Sequence, residues 1–291
     1  MGLSKPFAFM GSAAAGGWDP TVGGSFSVQH HWDFTDQDTM TFGGTGVSGS
    51  EVATITDKVG SVTFQPVNGP AGNATKITTT GSFDTNYNAT FLSGSPYQNY
   101  NGGTYNWKPS GMGTDKDFTV VAIAKNQRWE EYGDNWPRSL WYTRALAANG
   151  YDNLNVFMLF QQTWVTTLCS GSGNYRWGAG IYTGAWTAHR REYADPLEYS
   201  GSVDPSVYTL GFTQASDTYL IQRNDEVACT FSKASTLNAS GEGLCIGGAP
   251  IGFNEKNGFE GWMYHFVVYD QSLTTDQIDD VYNSWDSFYN G

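Results

Sequence analysis

The sequence predicts an all-β protein, folded as a sandwich of two antiparallel sheets with one short helix near the C-terminus. The composition is rich in glycine (36 residues) and in aromatic residues (11 Trp, 17 Tyr and 17 Phe), and only 15% of the residues are charged. Proteins made of short strands and turns have such a composition. Apolar runs of strand length, separated by turn residues, recur along the chain without a repeat of fixed period, which predicts one domain.

The first 28 residues are predicted to form an extended arm outside the domain, which spans residues 29–291. The arm has no helical or strand period, and Pro6 and Gly11 interrupt its apolar run, unlike the core of a signal peptide. Large apolar side chains are unfavourable in water, so we expect the arm to anchor the chain to another subunit or protein. The predicted anchor residues are Phe7, Phe9, Met10 and Trp18.

Strands are predicted in the first half of the chain at residues 31–35, 62–64, 76–80 and 117–125. The last is the clearest, because residues 118–124 are almost continuously apolar, as expected for a strand buried on both faces. Residues 81–116 contain many glycines and prolines and are predicted to form a loop.

Residues 129–191 contain an unusual density of aromatic side chains, together with predicted strands at 156–160 and 164–168. These rings either fill the sandwich core or a subunit contact, or they form a platform on which a sugar stacks. If the platform exists, its predicted glycan-binding residues are Trp136, Trp141, Tyr175, Trp177 and Trp186.

Strands at 207–213, 218–222 and 227–231 follow, and the polar turn at 223–226 joins the last two as a hairpin. Another is predicted at 244–246. The three cysteines lack the spacing of a disulfide framework or a zinc site and are expected to be reduced. Cys229 and Cys245 lie in adjacent predicted strands, so they are the pair that could form a disulfide.

The C-terminal segment predicts one buried strand and one capped helix. Residues 261–269 are apolar on both faces of a period-2 pattern, with one face predicted to carry Trp262, Tyr264, Phe266 and Val268 and the other Met263, Val267 and Tyr269. Thr274 and Gln277 form a capping-box pattern at the helix start. The helix has one apolar stripe and is expected to pack against the sheet.

This segment resembles the closing segment of concanavalin A-like, laminin-G-like jelly-roll domains. The matching residues are Phe259, Gly261, Met263, Phe266, Val268, Tyr269, Asp270, Leu273, Thr274, Gln277 and Ile278. Further matches are the Trp-x-Phe at 32–34, the Thr-Asp-x-x-Gly turn at 56–60, the strand at 118–125 and the Leu-x-Ile-Gly-Gly at 244–248. The resemblance implies one jelly roll over residues 30–291, of a kind found in tailed-phage virion proteins.

Several functions are not expected from this sequence. Glycoside hydrolases of this fold carry a Glu-x-Asp-x-x-Glu strand, which is absent, so no catalytic residue is predicted. The four histidines have no metal-binding spacing, so no metal ligand is predicted. Some laminin-G-like domains bind calcium, which leaves calcium open. The net charge of −13 argues against nucleic acid, and no apolar run is long enough to span a membrane.

Two functions remain. The first is a non-enzymatic virion structural protein (capsid decoration, head fibre or tail-associated), which is assembled in the host cytoplasm as a homo-oligomer and binds the major capsid or tail protein through its arm. The alternative is a carbohydrate-binding module that recognises a host cell-surface or environmental glycan. The first follows from the resemblance and composition, and the second from the aromatic residues at 129–191.

Overall fold

The structure is a computed structural model of the chain. It describes residues 17–44, 47–60, 62–64, 75–77, 83–84, 117–126, 143–149, 155–162, 168–170, 175–182, 190–194, 205–232, 244–246 and 261–291. These residues form two β-sheets and one C-terminal α-helix, which confirms the predicted fold class. Among them, no helix is both long and apolar enough to cross a bilayer.

The larger sheet has 11 strands. They are β1 (Val28–Asp33), β2 (Met40–Gly44), β3 (Val47–Thr56), β4 (Thr63–Phe64), β5 (Thr75–Ile77), β6 (Phe83–Asp84), β7 (Phe118–Asn126), β13 (Ser206–Thr213), β14 (Thr218–Arg223), β15 (Cys229–Ser232) and β17 (Gly261–Tyr269). The central order is β15-β14-β13-β7-β17, and all these neighbours are antiparallel. On the side away from β7, residues 265–269 of β17 pair with β1 and residues 262–263 pair with β6.

The second sheet has six strands. They are β8 (Thr143–Asn149), β9 (Asn155–Gln162), β10 (Leu168–Ser170), β11 (Tyr175–Tyr182), β12 (Arg190–Ala194) and β16 (Leu244–Ile246). Their order is β10-β12-β11-β9-β8-β16, and every pair is antiparallel except β10 with β12. The aromatic-rich region at 129–191 therefore supplies most of this sheet.

Most of the predicted strands are present with shifted ends. Those at 117–125, 156–160, 207–213, 218–222, 227–231 and 244–246 correspond to β7, β9, β13, β14, β15 and β16. Strand β6 lies where a loop was predicted, and β2, β3, β8, β11 and β12 were not predicted. Of the predicted strand at 164–168, only Leu168 lies within the described residues, where it begins β10.

The two sheets pack face to face around one apolar cluster. Trp177 on β11 and Tyr208 on β13 are both fully buried, with ring centroids 5.0 Å apart. Trp32 on β1 and Met158 on β9 belong to the same cluster. We call this side of the larger sheet the inner face.

The opposite side of the larger sheet is covered by the helix α1 (Thr275–Asn290) and by residues 17–28, and we call it the outer face. The helix begins as predicted, because Thr274 and Gln277 exchange both hydrogen bonds of a capping box. It buries Ile278, Val281 and Trp285.

The faces of β17 differ from the predicted alternation. Met263 lies with Phe266 and Val268 on the inner face, whereas Tyr264 lies with Val267 on the outer face. The pairing of β17 with β7 shifts register between Met263 and His265. A β-bulge adds one residue to a strand, so the residues before and after it exchange faces relative to a strict period of two.

A disulfide joins the sheets, contrary to the expectation of reduced thiols. Cys169 on β10 is bonded to Cys229 on β15, with a Cα–Cα distance of 5.5 Å. Since β10 and β15 end their respective sheets, the bond connects two edge strands. Cys229 therefore pairs with Cys169 and not with Cys245. The sequence could not predict this pair, because the order of strands along the chain does not specify the contacts between the two sheets.

Candidate functional site

A cluster of three titratable side chains lies buried on the outer face of the larger sheet. It consists of His31 and Asp33 on β1 and His265 on β17, which are 3%, 0% and 0% exposed. Buried groups of this kind are uncommon unless they are paired or functional. The cluster is the best-defined candidate site in the part of the chain that the structure describes.

Strand register brings the three side chains together. Asp33 lies directly opposite His265 in the antiparallel pair of β1 with β17, and His31 lies opposite Val267, which is also on the outer face. The bulge in β17 then turns His265 to the same side. Two residues from the start of the domain thereby meet a third from its last strand.

The atoms of the cluster are within contact distance of one another. His31 Nε2 is 3.1 Å from His265 Nδ1, and His265 Nδ1 is 3.3 Å from Asp33 Oδ1. The Asp33 carboxylate also accepts hydrogen bonds from Thr35 N (2.9 Å) and Thr35 Oγ1 (2.6 Å). Ligand atoms from the three residues all lie within 4.8 Å of one another.

A second set of polar groups supports the cluster from the turn after β3. Asp57 accepts hydrogen bonds from His31 N (2.8 Å) and Val59 N (2.9 Å), and its other oxygen is 2.5 Å from His30 Nδ1. A Cβ on Gly60 would lie 2.5 Å from Asp57 Oδ2. This close approach gives the Thr-Asp-x-x-Gly sequence a physical reason, since only glycine fits beside the carboxylate.

Lys58 places a positive charge beside the cluster. Its Nζ donates to Asp33 Oδ2 (3.2 Å) and to Asp36 Oδ2 (2.8 Å), and its side chain is 32% exposed. The ammonium therefore lies at the boundary between the cluster and solvent.

Aromatic rings close the cluster. The Trp18 ring lies 5.0 Å from the His265 ring and 5.8 Å from the Trp285 ring of α1, and Trp18 Nε1 donates to Ser284 Oγ at 3.2 Å. The Trp285 ring is 5.3 Å from the His265 ring. The cluster is thus a closed site rather than an open cleft.

Burial determines the charge states of the cluster. Desolvation, followed by the nearby His265, lowers the pKa of His31 to about 3, and desolvation lowers the pKa of His265 to about 4. Although desolvation opposes it, the pKa of Asp33 is lowered by His265 and by the hydrogen bonds from Thr35. At neutral pH the site therefore holds two neutral imidazoles and one carboxylate.

Such a group of side chains offers two imidazole nitrogens and one carboxylate oxygen, the ligand types that zinc-class metals take. The sequence did not reveal it, because His31 and His265 are 234 residues apart. The alternation at 31–35 and the buried strand at 261–269 were the available signals, but neither specifies which strands pair.

The residues predicted to stack on a glycan are not brought together by the described structure. Trp177 is fully buried in the core between the sheets, which agrees with the core interpretation of that ring. Tyr175 begins strand β11. Trp136, Trp141 and Trp186 lie outside the described residues.

Of the four predicted anchor residues, the structure describes only Trp18. Trp18 is 3% exposed and packs against its own domain, so its ring is not available to another subunit. The predicted boundary at residue 28 therefore falls inside a packed segment, since Phe26 is also buried against Tyr269. Phe7, Phe9 and Met10 lie outside the described residues.

Comparisons with known proteins find similar folds. The binding domain of Paraclostridial Mosquitocidal Protein 1 matches with a TM-score of 0.50 and 14% identity over 86% of this chain and 53% of that one. The match thus covers about half the length of that binding-domain chain. The likeness shows the fold and nothing further.

Two carbohydrate-binding structures match at lower TM-scores. Domain 4 of the arabinanase AbnA from Geobacillus stearothermophilus, in complex with arabinotriose, gives 0.43 at 12% identity over 88% of this chain and 98% of that one. The CBM40 of the Ruminococcus gnavus IT-sialidase, bound to α2,3-sialyllactose, gives 0.38 at 16% identity over 57% and 82%. No protein-family model and no curated protein sequence matches the chain.

Proposed function

We propose that this chain is a non-enzymatic, lectin-like binding module whose ligand is a carbohydrate. The observation that carries the proposal is the position of the aromatic residues relative to the second sheet. Trp136 and Trp141 precede β8 in the sequence, and Trp186 lies between β11 and β12. Segments that connect strands on a rigid scaffold commonly carry binding residues.

The scaffold that the described strands form is fixed by contacts between the two sheets. Trp177 packs against Tyr208 of the opposite sheet, and Cys169 ties β10 to the larger sheet. A fixed scaffold lowers the entropy lost when a ligand binds. The fold shared with the binding domain of Paraclostridial Mosquitocidal Protein 1 supports a binding role by analogy.

A glycan array that includes sialylated and arabinan oligosaccharides tests this proposal. We expect binding by the parent protein, and we expect Trp136→Ala or Trp141→Ala to weaken it about 10- to 30-fold, because a buried tryptophan contact commonly contributes about 2 kcal/mol. Trp136→Tyr keeps an aromatic face and should retain most of the affinity. A folded parent protein that binds none of these glycans would contradict the proposal.

Carriage on a virion is the second proposal, and the packing of Trp18 limits where an anchor could lie. Because Trp18 fixes residues 17–28 on the domain, an anchoring arm would be confined to residues 1–16, with Phe7, Phe9 and Met10 binding a major capsid or tail protein of the assembly. Deletion of residues 1–16 should leave a folded domain that no longer joins virions. Normal incorporation of the deletion variant would contradict this.

We also propose that the protein works in oxidising surroundings. The Cys169–Cys229 disulfide supports this, because such bonds form and persist outside the reducing cytosol. A protein on a virion surface and a secreted protein would both be in such oxidising surroundings. Thiol labelling of the protein isolated from its natural source is the test, and free Cys169 and Cys229 would contradict the proposal.

A further inference from the structure

The buried cluster of His31, Asp33 and His265 has a polarity that packing alone does not explain. The remainder of the outer face is mainly apolar, and burying polar side chains lowers stability unless each polar atom finds a partner. Among the described residues, no donor or acceptor lies within hydrogen-bond reach of His265 Nε2.

Neither tautomer of His265 satisfies the cluster. If the proton is on Nδ1, it points toward Asp33 Oδ1, and the lone pair on Nε2 is buried without a donor. If the proton is on Nε2, it has no acceptor among the described residues, and the lone pair on Nδ1 can accept from His31 Nε2 at 3.1 Å but also faces the Asp33 carboxylate oxygen at 3.3 Å. A cation between the ligand atoms would remove that second conflict.

We propose that His31, Asp33 and His265 bind a divalent transition-metal ion of the zinc class. Ligand atoms that surround a zinc ion tetrahedrally at their usual bond lengths are roughly 3.3 Å apart. The cluster already has separations of 3.1 Å (His31 Nε2 to His265 Nδ1) and 3.3 Å (His265 Nδ1 to Asp33 Oδ1). Two of the three ligand-atom separations therefore already suit a metal ion, and all three ligand atoms lie within 4.8 Å of one another.

The surrounding charges favour a cation. Around the cluster, the three carboxylates of Asp33, Asp36 and Asp57 outnumber their two basic partners, since Lys58 contacts Asp33 and Asp36, and His30 contacts Asp57. Neutral imidazoles are the form that binds metal, so the two histidines of the cluster would add no charge. A divalent ion would offset the excess negative charge, and Lys58 would keep its contact with Asp36.

The expected role of the ion is structural. Trp18 and Trp285 close the cluster, so substrate has no path to it. With the metal bound to Nδ1, the proton of His265 would lie on Nε2, on a ring enclosed by these two indoles, and aromatic faces accept N–H groups weakly. The ion would hold β1 to β17 beneath the residue 17–28 segment.

Metal analysis of the full, untagged chain tests the proposal. The protein is stripped with chelator, incubated with Zn²⁺ or Co²⁺, and dialysed. We expect roughly one ion per chain and a rise in Tm of about 5 °C at hundredfold excess over the Kd. Crystals of the zinc-loaded protein should show an anomalous scattering peak between the three side chains, a result that does not depend on any variant.

Variants separate this site from other metal-binding groups. Asp33→Asn and His265→Gln should lower zinc affinity at least about tenfold. Asp38→Asn is the matched control, because it removes the same charge from an exposed position in the turn after β1, and it should bind zinc like the parent. Absence of uptake by the folded parent, an anomalous peak elsewhere, or unchanged affinity in folded Asp33→Asn would each overturn the proposal.

Discussion

The larger sheet has two buried faces built from the same strands, and they are stabilised differently. On the inner face, β17 contributes Met263, Phe266 and Val268 to a cluster of aliphatic and aromatic side chains that contains no charged residue. On the outer face, the same strand contributes Val267, but also His265, which contacts Asp33. The inner face depends on apolar area and close packing, whereas the outer face also depends on the correct pairing of polar atoms.

This difference shows what a bulge can do in a central strand. A strict alternation would have placed Met263 and Val267 on one face, but the register shift between Met263 and His265 separates them. Tyr264 and His265 both contact Trp285 as a result. One added residue thus supplies the outer face with a polar side chain and leaves the inner face apolar.

The largest loss of stability is expected from a substitution on the inner face. Phe266→Ala should lower the free energy of unfolding by about 3–5 kcal/mol, because Phe266 is fully buried and the change leaves a cavity. Its matched control on the outer face is Tyr264→Ala, which should lower it by about 1–2 kcal/mol, since Tyr264 is only partly buried. Urea unfolding measures both, and equal losses would show that the faces do not differ in this way.

The disulfide tests whether packing alone holds the sheets together. Cys169→Ser should lower the free energy of unfolding by up to about 4 kcal/mol, from the loop entropy of a bond spanning 60 residues. Reduction of the parent protein should have the same effect. The double variant Cys169→Ser, Cys229→Ser is the control and should lose no more stability than the single variant, because both lack the same bond. If reduction leaves the unfolding midpoint unchanged, the inner face is stable without the bond.

The turn after β3 tests the polar contacts that hold it to β1. Asp57→Ala should lower the free energy of unfolding by about 2–3 kcal/mol, because His31 N and Val59 N lose their acceptor. The exposed Asp38 provides the control, and Asp38→Ala should stay within about 0.5 kcal/mol of the parent. Similar midpoints for both variants in chemical unfolding would show that this pairing contributes little.

Acid should weaken the outer face in the metal-free protein. Burial lowers the pKa of His31 to about 3 and of His265 to about 4, below the ordinary value of 6.5. The free energy of unfolding is therefore at its full value above pH 6.5, where both histidines are neutral in the folded and the unfolded chain. It decreases as pH falls toward 4, because the unfolded chain binds protons that the folded chain does not. The expected slope is at most about 1.4 kcal/mol per pH unit for each histidine.

The slope is measured by denaturant unfolding between pH 7 and pH 4 in the presence of chelator. His265→Gln removes one titrating group, so its curve should be flatter than that of the parent. The lowered pKa of Asp33 adds a further loss only below its ordinary value of 3.8. A parent protein with constant stability over this range would indicate that the histidines are not sealed from water.

Much of the larger sheet could be predicted from the sequence, because its central strands are nearly continuous apolar runs and the helix carries its own capping box. The second sheet was harder. Strand β11 contains Gly178 and Gly180, and β12 begins with two arginines, so neither has a clear apolar period. Their strand character comes from pairing with β9 and with each other.

The candidate site could not be predicted, for a related reason. His31 and Asp33 were placed correctly on a strand, and so was His265, but nothing local specifies that β1 pairs with β17. The disulfide is similar, since Cys169 and Cys229 belong to different sheets. Local patterns predict elements, whereas sites made from distant elements depend on tertiary pairing.

The contact between Trp18 and α1 has a mechanical consequence. Tension applied at residue 17 and at the end of the helix would load the hydrogen bond from Trp18 to Ser284 and the ring contact with Trp285 before it loaded the strand pairs of either sheet. Displacement of the Trp18 indole would admit water to His31 and His265 while the two sheets stayed packed together. The contact of Trp18 with α1 therefore controls the access of water to these two side chains.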